Sequence, residues 1–360
     1  LDKDKSYARY IVTSFLALLG TKGLVRAIFR KLDYWFMPRG GFDYLFRKYQ
    51  PDLVLATDIQ DLRVQELCDT ALIREAKRHG IASVGLGRSW DSMTTKGLLR
   101  IIPDRLVVQS LAIKDQAVKY HSIDPRNVAV VGTPHYDKYL IDQRTPRADF
   151  FDKIGLDSRR KTILLTLPSD IWTGDSALNQ FLLKSFSDLG IQTIVRFPIF
   201  GRIDIGGFSP PPFMVFDNPD NADRLEESHL SLNDDKRLAD LIYHSAVVVT
   251  GPSSIVLDAA IFNKPTILIG FDSGNQPRPY YRSVRRYYDY EHQQLVTRVG
   301  CLKIAHSFDE LSVLVDEYLS QPDLGVKERR KVAEEACFRL DGRSGLRLAN
   351  LIWNTLTQKN

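Results

Sequence analysis

The sequence predicts an α/β protein built as two Rossmann-like, doubly wound domains facing each other across a cleft. Three observations lead there. Short runs rich in β-branched residues, such as TILLT, TIVR, VVVT and TILI, are continuously apolar rather than alternating, as expected of parallel strands covered on both faces. Stretches with helical spacing separate them, the order of a parallel α/β sheet. The length of 360 residues suits two domains, each large enough for its own core.

In chain order, strands are expected at 52–56, 82–86, 105–108 and 128–131, with helices at 66–79 and 111–120 among them. A second set of strands lies at 162–166, 193–196, 247–250 and 266–269, with helices at 175–189 and 235–243. Residues 142–161 are charged, contain Pro146 and precede a fresh strand, so they read as the seam. This gives an N-terminal domain over 1–150 and a C-terminal domain over 151–360, with a terminal helix at 340–356 packing back toward the first. Residues 1–48 offer mainly helical patterns where a doubly wound domain usually opens on a strand, although 10–18 is apolar enough for one. The stretch 22–31 has helical spacing and a basic face. It reads as a surface helix, with a membrane-surface role as the alternative.

Composition excludes several classes. With 44% hydrophobic and 26% charged residues and no long apolar run, the chain reads as globular rather than membrane-spanning. A net charge of +5 is too small to indicate nucleic-acid binding. Cys68, Cys301 and Cys337 are far apart and form no CxxC pair, which fits a reducing cytoplasm and argues against a disulfide framework or zinc knuckle. No secretory leader precedes the first polar residues, and Leu1 in place of Met suggests a piece of a longer chain.

The most informative stretch is VVVTGPSSIVLDAAIFNKPTILIG, residues 247–270. A buried strand ends in a Gly251-Pro252 turn, and Ser253 and Ser254 then begin a helix read through residue 262. Unpaired N–H groups and hydroxyls at such a start either cap the helix or hold an anion. Asp258, about one turn on, either faces solvent or reaches a ribose hydroxyl.

This stretch resembles the donor-binding segment in the C-terminal domain of GT-B-type glycosyltransferases. The nearest branch contains the CDP-glycerol glycerophosphotransferases and related surface-carbohydrate enzymes; the non-hydrolysing UDP-N-acetylglucosamine 2-epimerases are more distant. GLGRSWDSMTTKGLLRIIPDRLVVQS (85–110), VAVVGTPHYDKYL (128–140) and YYDYEHQQLV (287–296) resemble further elements of that branch in the same order. The resemblance implies a GT-B-like fold in which Ser253 and Ser254 bind the donor diphosphate and Asp258 the ribose. The chain departs from the branch where a His-Pro pair usually follows the second strand of the C-terminal domain. Arg196-Phe197-Pro198 stands there, making Arg196 an alternative phosphate contact.

A transfer from an activated donor needs the leaving diphosphate neutralised, the donor oriented and an acceptor hydroxyl deprotonated. Gly251 and His292 join the expected donor site. Asp91 is the first candidate base because it follows the strand at 82–86, at the edge where α/β sheets place ligands; an ion pair with Arg88 is its structural alternative. Asp58, after the strand at 52–56, is the second. Trp90, Lys96 and His135 are acceptor-side candidates, and the four arginines of 278–286 suit a phosphorylated substrate, an anionic headgroup or plain solvent. With no suitably placed DxD, no metal or other cofactor is expected. The expected activity is transfer from a nucleotide-sugar donor to a glycan or lipid-linked acceptor in cell-surface polysaccharide synthesis. A CDP-polyol phosphotransferase and a non-catalytic nucleotide-binding module are the alternatives. The expected location is the cytoplasm, with peripheral contact to an anionic membrane through basic helices such as 22–31.

Overall fold

The computed structural model describes residues 18–37, 41–60, 69–199, 201, 203–220, 231–274, 278–298 and 302–357, apart from the side chains at 171 and 172. The chain divides into two compact units, 1–137 with 336–360, and 138–335. Residues 10–17 of the apolar opening stretch, Cys68 and Cys301 lie outside the described residues.

The first unit opens with helices α1 (Gly23–Phe36) and α2 (Asp43–Tyr49). Next come β1 (Leu53–Ala56), α3 (Asp69–Arg78), β2 (Ala82–Leu86), α4 (Ser92–Thr95), β3 (Arg105–Val108), α5 (Leu111–His121) and β4 (Val128–Val130). Its strands are parallel in the order β1-β2-β3-β4. Crossovers that all step in one direction with the usual right-handedness put the connecting helices on one face. The chain's last helix, Ser344–Thr357, covers apolar side chains of the sheet: Leu348, Leu351 and Ile352 pack on Val84, Val107 and Val131.

The Gly-x-Pro-x-x-Asp motif fastens that helix. Gly132 has φ +86°, and a Cβ there would lie 2.5 Å from Ser344 Oγ, so the close approach needs glycine. Helix α6 (Pro134–Ile141) carries Asp137, whose carboxylate accepts the Ser344 and Gly345 N–H groups at 3.0 and 2.8 Å. These N–H groups have no partner within their own helix, and a carboxylate satisfies both while meeting the positive end of its dipole. Asp137→Ala is therefore expected to cost about 1–2 kcal/mol of stability in urea melts, with Asp137→Asn intermediate. An unchanged midpoint for the alanine variant would deny the motif this role.

The second unit contains α7 (Arg147–Ile154), β5 (Ile163–Thr166), α8 (Asp170–Thr173), α9 (Ser176–Asp188), β6 (Thr193–Arg196), β7 (Met214–Asp217) and α10 (Leu232–His244). After these come β8 (Val247–Thr250), α11 (Ile255–Ile261), β9 (Thr266–Ile269), α12 (Glu291–Thr297), β10 (Lys303–Ala305), α13 (Phe308–Ser320) and most of α14 (Val326–Cys337). The helix Ser344–Thr357 is α15. The strands are parallel in the order β10-β9-β8-β5-β6-β7. From β5 the chain steps outward through β6 and β7, then returns to the other side of β5 with β8, so the sheet is doubly wound. Successive residues serve opposite cores: Ile163, Leu165, Val247 and Val249 face one, Leu164 and Val248 the other. That two-sided burial is why these strands read as unbroken apolar runs.

The eight expected strands appear, each within one residue of its expected ends. The edge strands β7 and β10 were not anticipated. The stretch 142–161 is not simply a linker: it contains α7, whose Phe150 and Phe151 are buried in the second unit. The basic face expected over 22–31 is also corrected. A helix is present, but Arg26 is buried and Arg30 half-buried against the unit, so the arginines point inward.

Candidate functional site

In a doubly wound sheet, ligands bind beyond the carboxyl ends of the strands where the strand order reverses. Here that point lies between β5 and β8. The two strand ends carry the same pattern: Thr166-Leu167-Pro168-Ser169 after β5, and Thr250-Gly251-Pro252-Ser253 after β8. The buried threonines are joined side chain to side chain, Thr166 Oγ1 donating to Thr250 Oγ1 at 2.7 Å. A Cβ on Gly251 would lie 3.1 Å from Pro168 Cβ, so glycine lets the two turns approach. Asn179 donates to Pro168 O at 2.9 Å and to Asp170 Oδ1 at 2.8 Å, fixing the first turn.

Gly251, Ser253 and Ser254 thus share one turn at the switch point. Ser253 Oγ accepts the Ile255 N–H at 3.1 Å, while Ser254 sits exposed at the N-cap position without a side-chain capping bond. Helix α11 has seven residues, shorter than expected, so local N–H and hydroxyl groups outweigh any long helix dipole. Sequence reasoning missed Ser169. Its hydroxyl is buried beside the same junction with no hydrogen-bond partner, an arrangement that calls for a ligand or water. The repeated Thr-x-Pro-Ser pattern was the signal that could have found it.

Asp258 is neither solvent-facing nor open to a ribose. It is buried with the Tyr139 hydroxyl as its partner, so a ribose would have to displace Tyr139. Burial pushes its carboxyl up to about 7, with Asp235 adding to the rise and the Tyr139 hydrogen bond opposing it. Because the folded value exceeds the unfolded one, the folded state holds the extra proton between roughly pH 4 and 7. Stability from this group is highest below that window and falls as pH rises through it, by at most about 1.4 kcal/mol per pH unit. Asp258→Asn should flatten this dependence in urea melts at pH 5 and 8; identical slopes for wild type and variant would contradict the assignment.

Arg196 does not reach toward a ligand. It is 2% exposed and paired with Asp217 and with Asp234, the latter at 3.0 Å, stapling α10 to the β6–β7 edge. His292 is buried near the start of α12, its ring 5.9 Å from that of Tyr290, and the nearby Tyr288 hydroxyl donates to Ile269 O at the end of β9 at 2.7 Å. Arg278 of the arginine cluster instead pairs with Asp175 at 3.4 Å and donates to the Gly174 carbonyl.

In the first unit, Asp91 occupies the N-cap position of α4 and accepts Thr95 Oγ1 at 2.7 Å. Arg88, weighed as an ion-pair partner for Asp91, lies 3.5 Å from Asp58. Trp90 is buried, Lys96 closes α4, and His135 is exposed on α6 against Tyr136. A cavity of about 260 Å³ lined by Lys161, Lys264, Tyr318 and Arg329 lies at the opposite ends of the strands, away from the switch point.

Residues 213–354 match the family model described as CDP-glycerol:poly(glycerophosphate) glycerophosphotransferase. No curated protein matches the chain in sequence. Its fold is similar to a protein described as a UDP-N-acetylglucosamine 2-epimerase from Listeria monocytogenes, with TM-score 0.57 and 13% identity over 93% of this chain and 81% of that one. It is also similar to UDP-GlcNAc 2-epimerase from Methanocaldococcus jannaschii in complex with UDP-GlcNAc and UDP, with TM-score 0.55 and 14% identity over 86% and 78%. The S. aureus MnaA–UDP structure gives TM-score 0.54 and 16% identity over 87% and 77%. The fold is therefore GT-B-like, with two Rossmann-like domains, and together with the family match it indicates a transferase.

Proposed function

We propose that the protein transfers a group from a nucleoside-diphosphate-activated donor to a hydroxyl of a glycan or lipid-linked acceptor, in building a cell-surface polymer. The observation that carries this reading is the pair of Thr-x-Pro-Ser turns at the strand-order switch, where backbone N–H groups and the hydroxyls of Ser169, Ser253 and Ser254 suit a diphosphate. Nucleotide complexes of structures with a similar fold support a nucleotide ligand.

The family match favours a CDP-polyol donor. A nucleotide-sugar donor is the second reading, favoured by the UDP-GlcNAc complex of the M. jannaschii protein. Asp91 is the proposed base for the acceptor hydroxyl, with Asp58 as alternate. No metal is assigned a step. The two readings break different bonds. With a CDP-polyol, the acceptor oxygen attacks the phosphorus bearing the polyol and CMP leaves with the electron pair. With a nucleotide sugar, it attacks the anomeric carbon and the nucleoside diphosphate leaves.

Incubation with CDP-glycerol or UDP-sugars and a hydroxyl acceptor, followed by chromatography of the released nucleotide, separates them. CMP is the expected product, and a nucleoside diphosphate would support the sugar reading. Failure of UDP, CDP, GDP and CMP alike to raise the melting temperature would overturn both in favour of a module without nucleotide chemistry.

A further inference from the structure

Helix α1 is attached to its unit by its polar side. Arg26 donates to the carbonyls of Lys119 and Thr21 at 3.0 and 2.6 Å, and Arg30 to those of Leu99 and His121 at 2.9 and 2.6 Å. Asp33 accepts from Arg74 and Arg100 at 2.6 and 2.8 Å. A 3.6-residue period then sends the apolar positions outward. Leu24, Ile28, Phe29, Leu32, Trp35 and Phe36 form the opposite stripe, with Leu24 75%, Trp35 78% and Phe36 80% exposed. Such side chains normally face a core; here six of them on one helix face water, which marks an interaction surface.

The charges around the stripe decide its occupant. Lys22 and Lys31 are exposed beside it, and Asp33, the helix's one acid, is turned inward and paired. Helix α2 rests on the end of α3 that also meets the end of α1: His79 lies 3.0 Å from Asp43, while Arg78 donates to the Met37 carbonyl. It adds exposed Tyr44, Arg47, Lys48 and Tyr49. An apolar stripe ringed by cations and aromatic side chains matches a bilayer surface, where acyl chains take the stripe, headgroups the cations and the interface the Trp and Tyr rings. A second copy would bring like charges together at its rim. No helix among the described residues is long and apolar enough to cross a membrane.

We propose that α1 docks the protein on an anionic lipid bilayer, lying in the interface with its apolar stripe inserted and its arginines holding the fold from behind. The inference is independent of the donor reading, because vesicle binding needs no nucleotide.

The test is co-sedimentation of the full chain with vesicles of phosphatidylcholine alone or mixed with phosphatidylglycerol. Wild type is expected to partition onto the anionic vesicles and to lose at least about a hundredfold in the Leu24→Gln/Trp35→Gln variant, the loss expected from removing two buried apolar side chains. Lys31→Glu should reduce the preference for phosphatidylglycerol. Unchanged melting temperatures establish that the variants fold. Wild type that stays in the supernatant, or a double variant that sediments equally, overturns the proposal. So does a lipid-free dimer in sedimentation velocity that the double variant abolishes, which would give the face to a second copy.

Discussion

Replacing Arg196 by leucine is expected to destabilise the second unit by about 3–5 kcal/mol, the scale for removing one partner of a buried ion pair. Its guanidinium stands between Asp217 on the neighbouring strand and Asp234 on α10, the latter 2% exposed. Without it, two carboxylates share a largely dry pocket in which the remaining cation among the described residues is Arg237, 3.0 Å from Asp217 and 2.7 Å from Asp234. Arg237 is about one-third exposed, so it offsets only part of the loss. Urea melts should show a lower midpoint, and Asp234→Asn should recover part of the deficit in the Arg196→Leu background by removing one unpaired charge. A variant with unchanged stability but weakened nucleotide binding would return Arg196 to the donor contact expected from its position after the second strand.

That contrast shows what the sequence could and could not convey. Strand positions were legible because two-sided burial forces continuous apolar runs, which few other contexts produce. The edge strands β7 (MVFD) and β10 (KIA) were not, since each carries a charged residue and is only partly buried, so no continuous apolar run marks it. The turn at Gly251–Ser254 was legible from local chemistry. Its counterpart at Ser169 was not, because its significance depends on β5 and β8 being neighbours, a pairing between residues far apart in the chain. The fates of Arg196 and Asp258 were hidden for the same reason. Asp217, Asp234 and Tyr139, which occupy these side chains, come from other elements. For α1, helical spacing was visible, but which side faces the protein is decided by carbonyls of Leu99, Lys119 and His121 that no local pattern reveals.

The second large effect concerns the switch-point turn. Replacing Ser253 and Ser254 together by alanine should weaken nucleotide binding by about 1–3 kcal/mol, the scale of hydrogen bonds to a charged group, or roughly 5- to 150-fold in affinity. The stability cost should be smaller, about 1 kcal/mol. Ser253 accepts one backbone N–H, and Ser254 makes no side-chain capping bond. Ser169→Ala should weaken nucleotide binding in the same direction with little change in stability, because the buried hydroxyl has no partner to lose.

The central claim is that these turns hold the donor's diphosphate, and calorimetric titration of CDP and UDP into wild type and the Ser253→Ala/Ser254→Ala variant tests it most directly. The account predicts measurable binding to the wild type and the stated loss in the variant, with the melting temperatures of the unliganded proteins close. A variant that melts lower yet binds nucleotide as tightly as the wild type would contradict it.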